Sequence, residues 1–360
     1  DYATGWQNGK IKLAALSDTD DTNAGAELAG LSTFSETSRL ASHTYTSGAT
    51  TFSLTEDGNS STISGYVWLL LNLTAGKQYT VSIQCNTAFT ADAQTRLVTT
   101  DHATGIFSGQ GTTDLRHLTF GGTSSATGLI LYSSPVSGST VTYTVSVKEV
   151  DPDRSVNGNG LQVFGTVTKS AVATGAELVG YSGFSTSNYL EQPYNSDLDF
   201  GTGDFSITLW VKGGSNGRVV FDRLGADQRG LQGSSTDTTK RIYIYTSSDR
   251  WEFIAGGGQI TASEAQIDIS SEWKLLTCLR KSGVMSMYEN SVHKFSKANT
   301  NTIGDTDHIT RVGTGVVWNN SPHPGSLALV RVSETAPTPE QIKKIYNDEK
   351  HLFQENAKAT

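Results

Sequence analysis

The chain has 360 residues and a formal net charge of -8, and no basic run occurs anywhere in it. Nucleic acids and anionic membranes need concentrated Lys and Arg as partners, so this charge balance disfavours both. Charged residues make up 17% of the chain and glycine occurs 37 times, which is typical of turn-rich β structure. The length predicts about two domains.

Two cysteines occur, Cys85 and Cys278, each inside an apolar run, and we expect both to be buried free thiols. The longest strongly apolar run, Tyr66 to Leu71, is too short to cross a bilayer, so no membrane insertion is expected. The chain begins at Asp1 without a methionine or an apolar leader, which favours a processed product or a piece of a longer chain.

A repeated phrase marks the start of each half of the chain. GAELAGLSTFSETSRL at 25–40 returns as GAELVGYSGFSTSNYL at 175–190, with nine of sixteen positions identical. We interpret the repeat as a duplicated junction that introduces each of two domains, with Phe34 and Phe184 as packing anchors. The predicted division is a partial preceding unit with the junction at 1–40, a sandwich at 41–150, a linker with the junction at 151–190, and a second sandwich at 191–360.

The first half contains short segments of period-two alternation separated by turn signals, which favours an antiparallel β-sandwich. The predicted strands are Thr51–Leu54, Tyr66–Leu71, Gln78–Gln84, Arg96–Thr99, Leu115–Phe120, Gly128–Tyr132 and Val141–Val150. We expect Tyr66–Leu71 to be buried on both faces. The phrases WLLLNLTAGKQYTVSIQ and VTYTVSVKEV resemble the jelly-roll sandwiches of carbohydrate-binding modules, which implies that fold without indicating a site.

A Pro and two Asn-Gly pairs in DPDRSVNGNG, residues 151–160, predict the domain boundary. Beyond the second junction, the stretch from Tyr189 to Lys212 predicts a Gly-rich turn that leads into an alternating strand. Trp273 to Asn290 predicts a hairpin. After a last strand near 325–333, Thr338 as N-cap, Pro339 and Gln341 predict a helix over 338–350.

These three segments resemble the laminin-G-like, concanavalin A-type lectin domains. The predicted fold class is therefore all-β: two antiparallel β-sandwich (jelly-roll) domains, the second concanavalin A-like and laminin-G-like with a short C-terminal helix. Together with the junction repeat, the chain resembles tail fibres and other appendages of tailed bacteriophages. The resemblance implies a virion location, other virion proteins as partners, a homo-oligomer (a trimer by analogy) and a host-surface glycan as ligand. A structural spacer, or an extracellular bacterial adhesin or accessory module, is the alternative.

Catalytic chemistry has one weak candidate in the sequence. Glucanases of the concanavalin type carry alternating carboxylates on one strand. The closest pattern here is Glu264 with Asp268, which lacks a third acid and lies in a segment that reads as loop. No metal-binding histidine motif or nucleotide-binding loop occurs. We therefore expect a binding protein, with Glu264 as the first residue to test for hydrolysis.

Laminin-G-like domains often hold one calcium ion at a loop edge, so calcium is the cofactor that the resemblance makes possible. Aspartates suit this hard cation. The candidate ligands are Asp197, Asp199, Asp204, Asp222, Asp227, Asp305 and Asp307.

Glycan recognition requires exposed aromatic faces flanked by amides and carboxylates. Two regions combine such residues: Tyr243 and Tyr245 with Trp251, and the loop WNNSPH at 318–323. The candidate carbohydrate-binding residues are Tyr243, Tyr245, Trp251, Trp318, Asn320 and His323. Trp68, Trp210 and Trp273 lie in apolar alternation and are expected in the core.

Overall fold

The computed structural model describes residues 10–19, 28, 33–36, 40–44, 50–56, 66–71, 73, 78–87, 95–98, 105–109, 116–121, 127–132, 138–151, 160–225, 240–305, 307–317 and 321–358. For the strands between 33 and 44 and between 95 and 121, only the backbone is described. All statements below concern these residues.

The chain forms two compact units, and the smaller one is inserted into the larger one in sequence. Ala26–Val150 form the smaller unit, whereas Asp1–Gly25 and Asp151–Thr360 group together. Strand β1 (Ile11–Ala15) belongs to the larger unit. This grouping differs from the sequence-based division, which assigned 1–40 to a preceding unit and 151–190 to a linker.

The smaller unit is an antiparallel sandwich of two five-stranded sheets. Its strands are β2 (Thr33–Glu36), β3 (Leu40–Thr44), β4 (Thr51–Glu56), β5 (Tyr66–Leu71), β6 (Gln78–Cys85), β7 (Thr95–Val98), β8 (Gly105–Gly109), β9 (Arg116–Gly121), β10 (Thr127–Tyr132) and β11 (Thr140–Glu149). The sheet orders are β2-β5-β10-β7-β8 and β3-β4-β11-β6-β9. All seven strands predicted in this half are confirmed, with ends shifted by no more than two residues.

Strand β5 alternates instead of being buried on both faces, which corrects that prediction. Val67, Leu69 and Leu71 enter the core of the smaller unit, whereas Trp68 is half-buried on the opposite face. There the indole of Trp68 lies against Gly128 of the neighbouring strand, where an added Cβ would lie 1.6 Å from Nε1. The apolar composition of this strand had hidden its period of two.

The larger unit is a sandwich of an eight-stranded and a seven-stranded sheet. Its further strands are β12 (Gln162–Phe164), β13 (Thr168–Ala171), β14 (Val179–Ser182), β15 (Tyr189–Gln192), β16 (Phe205–Lys212), β17 (Val219–Gly225), β18 (Ile242–Ser247), β19 (Arg250–Ala255), β20 (Gly258–Ile260), β21 (Lys274–Lys281), β22 (Val284–Glu289), β23 (Val292–Ala298), β24 (His308–Val312) and β25 (Ser326–Ser333). The seven-stranded sheet has the order β12-β15-β24-β17-β18-β19-β20. The other contains β13-β14-β25-β16-β21-β22-β23, with β1 also paired to β25.

Strand β1 is fixed to the larger unit by backbone pairing and by one buried carboxylate. Ile11 pairs with Ser333 and Ala15 with Val330 of β25. The N–H of Leu16, just after β1, donates to the carboxylate of Asp151 at 2.8 Å. The hydroxyl of Tyr181 donates to the same group at 2.7 Å. The two chain segments that lead into and out of the inserted unit are therefore joined at their base.

The junction repeat lies inside each sandwich. The second copy contains β14 and ends within β15, and these two strands lie in different sheets of the larger unit. The first copy contains β2 and ends where β3 begins, and these two strands lie in different sheets of the smaller unit. Phe184 is buried, as expected of an anchor, and its ring packs over Gly313, where an added Cβ would approach Cδ1 to 2.1 Å. The side chain of Phe34 lies outside the described residues. The repeated phrase therefore leads the chain from one sheet to the other.

Helices are short and few in the part of the chain that the structure describes. They are α1 (Ala262–Ala265) and α2 (Pro339–Glu349), with 3-10 turns at Ser196–Leu198 and Lys350–Phe353. The predicted capping box of α2 is confirmed: the hydroxyl of Thr338 accepts from the N–H of Gln341 at 3.3 Å, and the Gln341 side chain accepts in return. Within the described ranges, no helix is long and apolar enough to cross a bilayer.

Helix α2 is attached to the eight-stranded sheet by a buried ionic cluster. Glu349 accepts from both terminal nitrogens of Arg331 and, at 2.8 Å, from the indole N–H of Trp210. All three side chains are buried. Trp210 also stacks on Phe353 at 4.2 Å, which confirms its predicted core position. Trp273 is half-buried and packs against the same ring at 4.9 Å.

Candidate functional site

One row of side chains crosses the whole seven-stranded sheet on the face that points away from the core. Strand register places seven residues opposite one another in this row, hereafter the outer row. They are Gln162, Glu191, Arg311, Asp222, Tyr243, Ile254 and Gln259. The first five are buried and the last two are half-exposed, so the row is open only at the β19–β20 end.

Alternation along β18 and β19 explains which residues face outward. Ile242, Ile244 and Phe253 lie in the hydrophobic core between the two sheets. The intervening residues of these strands therefore point to the opposite face, because successive strand residues alternate. Tyr243 and Tyr245 are the outward residues of β18.

A buried ion pair supports the first tyrosine. Nε and Nη2 of Arg241 each donate to Asp222 at 2.7 Å, and both side chains are buried. The guanidinium carbon lies 3.5 Å from the centroid of the Tyr243 ring, which stacks on Tyr245 at 4.5 Å. Three planar groups therefore form one stack that ends at a half-exposed tyrosine.

The opposite end of the row is closed. Arg311 pairs with Glu191 at 2.7 Å and donates to the carbonyl of Gly315 at 3.1 Å. The N–H of Val316 donates to Asp222 at 2.6 Å. The segment after β24 thus lies against the charged part of the row, which leaves the β18–β20 corner as the accessible part.

At that corner, four residues form the patch hereafter called the open corner: Tyr245, Glu252, Ile254 and Gln259. The hydroxyl of Tyr245 donates to Oε2 of Glu252, and Nε2 of Gln259 donates to the same oxygen at 2.6 Å and to the tyrosine oxygen at 3.2 Å. The N–H of Ala262 donates to the other carboxylate oxygen at 2.9 Å. Burial, together with the bond to Glu252, raises the pKa of Tyr245, so its hydroxyl stays protonated.

The structure brings together only part of the predicted glycan-binding set. Tyr243 and Tyr245 lie side by side, but Trp251 belongs to the core, 1% exposed, on the other face of the sheet. His323 is fully buried, 6.0 Å from the Trp251 ring. Neither offers a face to a ligand, because both side chains are buried. Trp318 and Asn320 lie outside the described residues.

The burial of His323 makes stability depend on pH. Burial lowers the pKa of His323 from 6.5 to about 4, while the backbone of Lys212 and Ser326 acts in the opposite direction. The unfolded chain therefore binds a proton between pH 6.5 and 4 that the folded chain does not. The stabilisation is complete above pH 6.5 and is lost as pH falls through 4, a difference of about 3 kcal/mol.

Asp151 acts in the opposite direction over nearly the same range. Burial is the largest cause that raises its pKa from 3.8 to about 6, so its contribution to stability falls as pH rises between those values. We expect the two slopes to offset each other in the native chain. His323→Gln should lower stability at pH 7.5 and leave the Asp151 slope unopposed, so the stability of the variant should rise as pH falls from 7.5 to 4.5, measured by urea unfolding. Parallel curves for the variant and the native chain would contradict this assignment.

Four of the predicted calcium ligands already have hydrogen-bond or ion-pair partners. Asp199 pairs with Arg223 and accepts from Tyr194 at 3.0 Å, Asp305 pairs with Lys240, and Asp222 pairs with Arg241. Asp204 accepts from the N–H of Ser282 at 2.7 Å. Asp197 and Asp307 are described, whereas Asp227 is not. Among the described residues, no three Asp, Glu, His or Cys side chains meet in an arrangement that could hold a metal ion.

The acids considered for hydrolysis have structural roles. Glu264 caps α1, accepting from the N–H of Thr261 at 2.8 Å, and pairs with Lys297 at 3.0 Å. Asp268 pairs with Arg250 at 2.7 Å. The segment at 264 is thus a short capped helix and not the expected loop, because Thr261 and Glu264 form a capping box.

Sequence reasoning missed Glu252 and Gln259, although a signal for the first was present. The segment RWEFIA covers residues 250–255. Its residues Trp251, Phe253 and Ala255 occupy alternate positions, and Glu252 lies between two of them. Strict alternation would have placed Trp251 in the core and Glu252 outside. Gln259 carried no such signal, since β20 has only three residues.

Comparison with known families agrees with this geometry. Residues 184–343 match the laminin G 3 model of the concanavalin A-like lectin/glucanases superfamily. The larger unit therefore contains a concanavalin A-like, laminin-G-like domain, and its fold is that of a lectin-like carbohydrate-binding domain. Domains of this kind are typically binding modules without catalysis.

The solved structures to which the chain is similar include two binding domains and one domain of an arabinanase. The binding domain of Paraclostridial Mosquitocidal Protein 1 is 18% identical, with a TM-score of 0.39, and the match covers 55% of this chain and 49% of that one. Domain 4 of AbnA, an extracellular GH43 arabinanase from Geobacillus stearothermophilus, solved with arabinotriose, is 19% identical with a TM-score of 0.36, covering 54% and 92%.

The receptor-binding domain of botulinum neurotoxin C/D mosaic serotype is 13% identical, with a TM-score of 0.39, covering 56% and 48%. The chain thus spans about half the length of these two toxin binding domains. The comparison with curated proteins gave no match.

Proposed function

We propose that the larger unit binds carbohydrate at the open corner. The observation that carries this proposal is the half-exposed ring of Tyr245, held flat against Tyr243 and, beyond it, Arg241. Sugar rings stack their C–H faces on aromatic rings, and a ring fixed in advance loses little entropy on binding. Ile254 and Gln259 extend the same surface with apolar area and an amide group.

We further propose that this binding serves recognition of a host-surface glycan by an external appendage of a virion. Support comes from the junction repeat that the two sandwiches share and from the resemblance of the chain to phage fibres. Other virion proteins and further copies of the chain, in a trimer by analogy, would be its partners. A spacer role within the virion, or an extracellular bacterial adhesin, is the alternative. Detection of the chain by mass spectrometry of purified virions would support the virion role, and absence of the chain from them would contradict it.

Tyr245→Ala is the direct test of the carbohydrate site. Truncating a central aromatic residue of a binding surface typically costs more than 2 kcal/mol, so we expect at least a tenfold loss of affinity. Binding of the full chain to a glycan array measures it. Tyr194→Ala is the matched control, because Tyr194 is 40% exposed and does not belong to the open corner. Equal binding by the Tyr245 variant and the native chain, with equal melting temperatures, would contradict this site.

Trp318 and Asn320 stay a second predicted contact region. Trp318→Ala measured on the same array would test it: a loss of binding supports a contribution from this loop, and unchanged binding limits the site to the open corner.

A further inference from the structure

Two of the three hydrogen-bond donors that Tyr245 and Gln259 carry in their side chains are already used. The tyrosine hydroxyl donates to Glu252, and the amide nitrogen of Gln259 donates to Glu252 at 2.6 Å and to the tyrosine oxygen at 3.2 Å. The Glu252 and Tyr245 oxygens lie close together on one side of the amide nitrogen, so one N–H serves both and the second N–H is left for a ligand. These residues can therefore offer a ligand one N–H donor and two acceptor oxygens, namely the Gln259 carbonyl and a lone pair of the Tyr245 hydroxyl.

The negative charge behind these groups favours ligands without a carboxylate. The carboxylates of the outer row are each paired with arginine, Glu191 with Arg311 and Asp222 with Arg241. Glu252 is held only by neutral donors among the residues that the structure describes, and it is 5% exposed. The open corner therefore carries an uncompensated negative charge, one hydrogen bond behind its two polar groups.

We propose that Glu252 determines specificity, so that the open corner accepts sugars without acidic groups and excludes acidic ones; this rests on the proposed carbohydrate binding. Hydroxyl and ammonium groups of a ligand can donate to the acceptor oxygens. A uronate or sialate carboxylate would lie near the like charge of Glu252, which disfavours its binding. The ligand class is a neutral or amine-bearing polysaccharide.

The test uses the full chain on an array of neutral and amine-bearing glycans together with uronate-containing polysaccharides, each beside its carboxyl-reduced derivative. The two members of a pair differ only at the carboxylate. We expect at least tenfold stronger binding of the native chain to the reduced member. Glu252→Gln removes the charge and introduces two N–H donors. It should therefore lower the ratio of affinities for the reduced and the acidic member at least fivefold. Glu264→Gln, an acid on α1 paired with Lys297, is the matched control and should leave the ratio unchanged.

The outcomes separate the two proposals. Equal binding of acidic and reduced members by the native chain overturns the specificity inference while the carbohydrate site stands. Binding to no glycan overturns both. The comparison within the native chain does not depend on whether Glu252→Gln folds, and the melting temperature of that variant identifies a folding defect.

Discussion

Glu349→Ala is expected to lower the free energy of unfolding by about 3–5 kcal/mol. Glu349 is fully buried at the last residue of α2, where it neutralises Arg331 and accepts from the Trp210 indole. Its removal leaves a buried guanidinium without a counter-charge and a buried N–H without an acceptor. Urea unfolding followed by tryptophan fluorescence and circular dichroism would measure the loss.

Two controls test the cause. Glu349→Gln keeps the shape and an acceptor for Trp210 but not the charge, so the loss should be smaller, about 1–3 kcal/mol. Asp348→Ala removes the adjacent acid, whose partner Lys344 is exposed, and should change stability by no more than about 0.5 kcal/mol. If Glu349→Ala behaved like the Asp348 variant, the cluster would not hold α2 to the sheet.

Asp222→Ala should destabilise the larger unit by a similar amount, about 3–5 kcal/mol. It leaves the Arg241 charge buried and removes the acceptor of the Val316 N–H. Because Arg241 supports the Tyr243–Tyr245 stack, the folded fraction of this variant should also bind glycan more weakly. Unfolding in urea gives the first effect, and array binding below the melting temperature gives the second.

Asp268→Ala is the matched control for that variant. Asp268 also pairs with an arginine, Arg250, but its side chain is 67% exposed, so solvent already screens the pair. We expect no measurable change in stability or in binding. If Asp222→Ala were as stable as this control, the buried pair would make no net contribution to the free energy of unfolding.

Local patterns were sufficient to predict most elements of the fold. Alternation in Gln78–Gln84 and Val141–Val150 identified β6 and β11, and the capping residues Thr338 and Gln341 identified α2, because these signals act over a few residues. The assignment of Ile11–Ala15 to the larger unit could not be predicted in this way. Its partner β25 lies far away in sequence, and pairing over such a distance leaves no local signal.

The candidate site was predicted in part for the same reason. Tyr243 and Tyr245 share parity on one strand, so their proximity follows from the sequence. Grouping them with Trp251 treated nearness along the chain as nearness in space, whereas the tight turn between β18 and β19 places Trp251 on the other face. Alternation alone predicts that Glu252 faces outward. The proximity of Glu252 and Gln259 to Tyr245 depends on the register of three strands, which the composition of any one of them does not reveal.

The pairing of β1 with β25 also determines the order in which parts of this protein can fold during its synthesis. Strand β1 emerges from the ribosome about 300 residues before its partner, roughly 15–60 s earlier at ordinary elongation rates. The inserted unit, whose described strands pair with one another, can fold during that interval. Closure of the lectin-like sandwich must then be among the last events, and until it occurs β1 and the edge of β25 are both available to strands of other chains. Crowded nascent copies of this protein should therefore be able to exchange β1.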